Sequence, residues 1–120
     1  QIRNSERIDT ILDVTVDSDF DILGDWPKTA TVTNLSKSGA RMTSHHSLGE
    51  KGHELVLIFE IDVSGIHKNP QIPCIIRNVE FSTSMQKEYK GHYIFGLQFI
   101  DMTDEMRLGL SNYIYEQDRK

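Results

Sequence analysis

Two groups of polar residues in this sequence have types and spacings that could bind a small anion. Arg3 and Arg7 stand four residues apart, and Asn34, Ser36 and Gly39 form an Asn-x-Ser-x-x-Gly pattern further along. Arginine can bind phosphate through two parallel hydrogen bonds, and it can also stack on a planar base. Asparagine and serine add hydrogen-bonding groups, and glycine allows a close approach to the backbone or a positive φ. The chemistry indicates a ligand with charged phosphates and planar bases.

Each pattern also has an ordinary structural explanation. Two arginines at this spacing are usually solvated, and residues 34–39 are typical of a hairpin turn between two apolar-alternating runs. In an extended chain, Arg3 and Arg7 would share one face and stand about 13 Å apart. Only the order and spacing of both patterns together favour a binding site.

Composition limits the chain to one domain and argues against several functions. A chain of 120 residues forms a single core, and its formal net charge of −5 argues against a DNA or RNA partner. No apolar run is long enough to cross a bilayer, so we expect no direct membrane insertion. The single cysteine, Cys74, stands in an apolar run and is expected to be a small buried hydrophobe. A reducing, cytoplasmic location is consistent with that cysteine usage.

Runs of alternating apolar and polar residues predict six strands. They cover residues 11–16, 28–33, 39–43, 54–63, 72–81 and 93–99. Residues 64–70 are predicted to form a turn. In the third strand the alternation places Gly39 and Arg41 outward, and in the last strand it leaves Gly96 outward. Arg41 could add positive charge near the motif, and a bare glycine permits close approach by another group.

The C-terminal residues predict a helix over 103–118. Thr103 is a candidate N-cap, and acidic residues follow it where the helix dipole favours negative charge. Four apolar residues then recur at helical spacing and form one stripe: Met106, Leu110, Tyr113 and Ile114. We therefore expect an all-β fold with a C-terminal helix, in which residues 9–120 form a six-stranded antiparallel Greek-key-like β-barrel. Residues 1–8 are expected to be a flexible lead-in that clamps a ligand.

The two motifs, taken in this order, resemble the signature of the PilZ family, bacterial domains that bind cyclic di-GMP (c-di-GMP). A late Gly96-Leu97-Gln98-Phe99 segment and the C-terminal helix extend the resemblance over the rest of the chain. The resemblance implies ligand contact by five residues: Arg3, Arg7, Asn34, Ser36 and Gly39. Arg41 and Gly96 are further candidates for the same site.

The sequence departs from the family pattern at two positions. Asn34 stands where the family usually has an acidic residue, which the pattern also admits. Ile2 precedes Arg3, whereas members that take up a stacked pair of ligands often have another arginine there. The second departure favours one ligand per domain.

The resemblance implies a receptor domain that passes c-di-GMP levels to an adjacent domain or a protein partner, through ordering of the N-terminal arginine segment. Such a domain needs no cofactor, metal or catalytic residue. His45 and His46 lack further ligands at metal-binding spacing. One alternative is a PilZ-like adaptor that binds protein and not nucleotide. A single-strand nucleic-acid barrel and an enzyme are less favoured, because neither a basic aromatic groove nor a nucleophile-base pair is visible.

Overall fold

A computed structural model describes residues 7–18, 27–82 and 92–118. The strands are β1 (Arg7–Asp17), β2 (Lys28–Ser36), β3 (Gly39–Ser44), β4 (Glu54–Ile58), β5 (Ile61–Val63), β6 (Ile66–Lys68), β7 (Gln71–Ser82) and β8 (His92–Phe99), and the helix is α1 (Asp104–Asp118). Most of the predicted lead-in, residues 1–6, lies outside the described ranges, as do residues 19–26 and 83–91.

Six of the strands form a closed antiparallel ring in the order β1-β2-β3-β8-β7-β4. The last strand in the chain therefore pairs with the third strand, and β4 returns to close the ring against β1, as in a Greek key. Closure leaves these strands without open edges. The predicted fold class, an all-β barrel of six antiparallel strands with a C-terminal helix, is confirmed.

The core of the barrel is filled by the alternate residues that the sequence pattern predicted to face inward. Leu55, Leu57 and Phe59 are at most 2% exposed, and Phe95 and Leu97 are buried in β8. Burying one such side chain stabilises the fold by about 1.5–3 kcal/mol. The alternation of side chains along a strand therefore fixes which face remains outside for a ligand.

Cys74 is a core residue, as predicted. Its side chain is fully buried near the start of β7, and burial raises the pKa of the Cys74 thiol to about 12. A thiol with so high a pKa forms almost no thiolate near neutral pH and is a poor nucleophile. Cys74 therefore contributes to the packing of the core.

The first strand begins earlier than predicted. Arg7 and Ile8, assigned to the lead-in by the sequence analysis, are the first residues of β1, and Ile8 is buried. The register against β2 shifts between Asp9 and Leu12, so a bulge interrupts the strand there. Because the bulge and the polar residues near it interrupt the alternation of apolar and polar residues, the sequence pattern does not reveal the first part of the strand. Its presence makes Arg7 part of the barrel wall.

The predicted strand 54–63 is two strands, and the predicted turn 64–70 contains a strand. The chain leaves the barrel after β4, and β5 pairs with β6 in a separate two-stranded sheet. Ser64 and Gly65 form its turn with φ values of 52° and 79°, as in hairpin turns that match strand twist. The inward alternation continues from β4 into β5, so sequence pattern alone cannot reveal the change of partner.

The C-terminal helix begins as predicted. The Thr103 Oγ1 accepts a hydrogen bond from the Met106 backbone N–H at 3.1 Å, which is the geometry of an N-cap. Leu110, Tyr113 and Ile114 are buried, and α1 lies against β5 and against β1 and β2 of the barrel. Burial also raises the pKa of Tyr113.

Within the described ranges, no helix is both long enough and apolar enough to cross a membrane.

Candidate ligand-binding cleft

A cleft of about 1230 Å³ opens on the outer surface of the barrel over β1, β2, β3, β8 and β7. This volume exceeds the roughly 300–1,000 Å³ that is typical of small-molecule sites. Its lining is mainly polar and includes Arg7, Asp9, Asn34, Ser36, Gly39, Arg41, Arg77, Asn78, Glu80 and Gly96. The cleft therefore brings together every described residue that the sequence analysis nominated.

One row of directly paired residues crosses five strands on the floor of this cleft. Asp9 pairs with Asn34, Asn34 with Arg41, Arg41 with Gly96, and Gly96 with Asn78. Directly opposed residues on neighbouring strands point to the same face, with Cβ atoms about 4.5–5.5 Å apart. The backbone pairing is thus unbroken along the row. Its side chains are polar, except at Gly96, which has none.

Asn34 is fixed in this row by its neighbour on β1. The Asn34 Nδ2 donates a hydrogen bond to the Asp9 Oδ1 at 2.9 Å. A carboxylate can only accept, so this bond determines which end of the Asn34 amide faces Asp9. The Asn34 amide oxygen remains as an acceptor for another group.

The predicted turn at residues 34–39 is shorter than expected, because Asn34, Leu35 and Ser36 belong to β2. Leu35 is fully buried in the core. The Ser36 Oγ accepts hydrogen bonds from the backbone N–H of Ser38 at 3.3 Å and of Gly39 at 3.1 Å. The serine hydroxyl therefore closes the turn between β2 and β3, in the manner of an ST turn.

Gly39 was predicted to face outward, and it lies in the lining of the cleft on the outer surface of the barrel. The residue is buried, and a Cβ built on it would overlap the carbonyl oxygen of Leu97 on β8. Gly39 is not among the described residues with positive φ, so close approach and not a left-handed backbone explains the glycine. The glycine permits β3 and β8 to pair at the edge of the cleft.

Gly96 faces outward as predicted, and the group that approaches it is the side chain of Asn78. A Cβ at Gly96 would lie 3.2 Å from the Asn78 Nδ2. The amide of Asn78 therefore extends over the bare backbone of β8. A side chain at position 96 would have to displace this amide and would narrow the cleft.

The charges on the lining residues leave a small positive excess. Three arginines, Arg7, Arg41 and Arg77, face two carboxylates, Asp9 and Glu80. The guanidinium of one of them is oriented, because the Arg77 Nε donates to the Gln98 Oε1 at 2.6 Å. The balance suits a small ligand with two negative charges better than a polynucleotide, which needs a broad basic surface.

The family model of the PilZ domain matches residues 1–116. The chain is a PilZ domain. Members of this family are binding domains with regulatory roles and are not enzymes. No curated protein matches the sequence significantly.

Solved PilZ proteins share the fold of this PilZ domain at low sequence identity. The inhibitor of motility MotI/DgrA of Bacillus subtilis superposes with a TM-score of 0.76 and 17% identity, over 99% of this chain and 52% of that chain. The PilZ domain of Escherichia coli YcgR with c-di-GMP superposes with a TM-score of 0.71 and 10% identity, over 99% of this chain and 93% of that chain. The MrkH-c-di-GMP complex of K. pneumonia superposes with a TM-score of 0.73 and 12% identity, over 99% of this chain and 52% of that chain. The present chain thus spans about half the length of MotI and MrkH.

In this PilZ domain the cleft unites Arg7, Asn34 and Ser36 with Arg41 and Gly96. Gly39 also reaches the lining, although its missing side chain would point at β8. Arg3 lies outside the described residues, so its place in the site stays a prediction, as does ligand contact by the others.

Among the cleft residues that sequence reasoning missed are the charged or amide-bearing side chains of Asp9, Arg77, Asn78 and Glu80. Arg77 lies at a register shift between Ile76 and Asn78, and Asn78 and Glu80 follow it; from Arg77 on, β7 loses its regular alternation and residues 77–81 are all exposed. The signal available in the sequence was the change in apolar alternation, from Ile72, Cys74 and Ile76 on one parity to Val79 and Phe81 on the other.

His45 and His46 line a second, smaller cleft of about 450 Å³ on the same barrel. The rings of His45 and His92 lie 3.9 Å apart between centroids. Over residues 7–18, 27–82 and 92–118, no group of three or more His, Cys, Asp or Glu side chains is arranged to hold a metal ion.

Proposed function

We propose that this PilZ domain binds c-di-GMP in the cleft over β1, β2, β3, β8 and β7. The observation that carries the proposal is that Arg7 lines one cleft together with Asn34 and Ser36, which are 27 and 29 positions away in the sequence. Two of the structures with the same fold contain this ligand, although at 10% and 12% identity they support the fold alone. The small positive excess in the cleft favours a ligand with two phosphates.

The cationic side chains can supply much of the required binding energy. Arg7, Arg41 and Arg77 are each able to form charge-assisted hydrogen bonds, which contribute about 1.5–3 kcal/mol apiece. Stacking of a guanidinium on a guanine face adds about 0.5–2 kcal/mol. Micromolar affinity corresponds to about 8 kcal/mol, so a few such contacts suffice even after the loss of ligand freedom.

Calorimetric titration of the chain with c-di-GMP, cyclic GMP and GTP in parallel tests the binding proposal. We expect a dissociation constant in the micromolar range for c-di-GMP and at least about tenfold weaker binding of the two mononucleotides, because each presents only one guanine to the cleft. No heat with c-di-GMP at about 100 μM, where a micromolar site would be saturated, would exclude the proposal and favour an adaptor that binds protein alone.

We further propose that binding transmits a signal by ordering residues 1–6 over the cleft. Arg7 begins β1 beside the cleft, so the preceding segment starts at the site. Four residues span at most about 14 Å, which keeps Arg3 within reach of a ligand that contacts Arg7. The ordered segment would present a new surface to an adjacent domain or a protein partner.

Hydrogen exchange with and without saturating c-di-GMP tests this mechanism separately from binding. We expect slower amide exchange in residues 1–6 when the ligand is bound, whereas the amides of α1 should be unaffected because the helix lies outside the lining of the cleft. Unchanged exchange in residues 1–6, in a sample that calorimetry shows to be saturated, would leave the binding proposal intact and reject the mechanism.

A further inference from the structure

Asp9 is an unexpected residue in a site for an anion. It is exposed and lines the cleft two positions after Arg7 on the outer face of β1. A carboxylate at this place repels phosphate, so its presence calls for a function that outweighs the repulsion. The groups of c-di-GMP that a carboxylate can bind are the ribose 2′-hydroxyls and the N–H donors of its bases, and only the latter differ between one base and another.

The carboxylate of Asp9 is held in a defined orientation. Asp9 and Asn34 are directly paired across β1 and β2, and the Asn34 Nδ2 donates to the Asp9 Oδ1 at 2.9 Å. A carboxylate has about four lone-pair positions, so this one bond leaves acceptor capacity toward the cleft. Orientation by a neighbour lowers the entropy that would be lost when a ligand binds.

Guanine and adenine differ in the edge that such a carboxylate would meet. The Watson-Crick edge of guanine presents two adjacent donors, N1–H and the N2 amino group, which match the two oxygens of a carboxylate. Adenine presents a donor at N6 and a bare acceptor at N1, and that acceptor would face a carboxylate oxygen. A site built around a particular hydrogen-bonding edge rejects a ligand that leaves its polar groups unpaired.

We propose that Asp9 determines the base specificity of the cleft, by accepting hydrogen bonds from N1–H and the N2 amino group of one guanine of the ligand. The inference rests on the proposed function, because it assigns a role within the same c-di-GMP site. Asn34 acts as the positioning residue, through its bond to the carboxylate. Cyclic di-AMP, which has the same backbone and charge, is the ligand that Asp9 excludes.

The opposing explanation is that Asp9 only weakens binding by repulsion. The two explanations predict opposite results for Asp9→Asn, which removes the charge and keeps the shape and an acceptor for Asn34. Loss of repulsion would tighten binding of c-di-GMP and cyclic di-AMP by the same factor. Loss of a guanine contact would weaken the binding of c-di-GMP and leave the affinity for cyclic di-AMP unreduced.

The test is calorimetry of both dinucleotides with the wild-type chain, Asp9→Asn and the control Asp13→Asn. Asp13 is a matched control, because it is exposed on the same strand and accepts a cross-strand bond from the Thr31 Oγ1 at 3.1 Å, yet does not line the cleft. We expect Asp9→Asn to weaken the binding of c-di-GMP about tenfold and to leave the binding of cyclic di-AMP unchanged or tighter. Asp13→Asn should change the affinity for neither dinucleotide.

The outcomes separate this inference from the proposed function. If the wild-type chain binds c-di-GMP but Asp9→Asn keeps the wild-type ratio of the two affinities, the role of Asp9 is wrong and the c-di-GMP site stands. If the wild-type chain binds neither dinucleotide, both proposals fail. Thermal unfolding of each variant, followed by circular dichroism, verifies that a change in affinity does not come from loss of the fold.

Discussion

Replacement of Gly39 by alanine is expected to lower the free energy of unfolding by about 2–4 kcal/mol, because the added methyl group has no space. Its Cβ would overlap the Leu97 carbonyl oxygen, a backbone atom that cannot rotate away as a side chain can. The two strands pair directly at this point, with Gly39 opposite Gln98 and Ala40 opposite Leu97. Relief of the overlap would require β3 and β8 to separate. Urea denaturation followed by circular dichroism measures the loss.

Gly109→Ala is the matched control for this substitution. Gly109 lies inside α1, and a Cβ there meets nothing within 4 Å. Alanine in a helix interior is favoured over glycine by about 0.5–1 kcal/mol, so this variant should be more stable than the wild type. A Gly39→Ala variant of unchanged stability that fails to bind c-di-GMP would instead support the sequence-based role of Gly39 as a ligand contact.

The barrel and helix follow from local patterns in the sequence. In β8, Phe95, Leu97 and Phe99 alternate with outward residues and are all buried, because side chains on a strand point to opposite faces in turn. The Thr103 cap likewise depends only on residues within one helical turn. Features of this kind can be predicted from a sequence, since their cause lies within a few neighbouring residues.

The composition of the cleft depends on register, which a single sequence does not reveal. Asp9 meets Asn34 across 25 positions in sequence, and Arg77 meets Gln98 across 21. Both contacts follow or adjoin a bulge that shifts one strand against the next by a residue. The motif residues were identified by their resemblance to a family, whereas Asp9 and Arg77 carry no motif and became visible only through pairing.

Arg7→Ala is expected to weaken binding of c-di-GMP by about a hundredfold, since it removes a guanidinium able to form two charge-assisted hydrogen bonds. Arg7 pairs directly with Ser36 at the first residue of β1, so its side chain starts from a fixed part of the barrel wall. Arg41 and Arg77 belong to other strands of the cleft and cannot take over its place. Calorimetric titration of the variant with c-di-GMP measures the loss.

Two further variants determine what the loss means. Arg107→Ala makes the same change on α1, where the side chain is 63% exposed, pairs with Asp104 and lies outside the lining of the cleft, so affinity should not change. Arg7→Lys keeps the charge but not the planar fork of donors. Affinity midway between the wild type and Arg7→Ala would indicate that charge and fork both contribute, and an affinity equal to that of Arg7→Ala would assign the effect to the fork. Wild-type binding by Arg7→Ala would remove the cleft as the c-di-GMP site, because Arg7 is the described residue that joins the first motif to it.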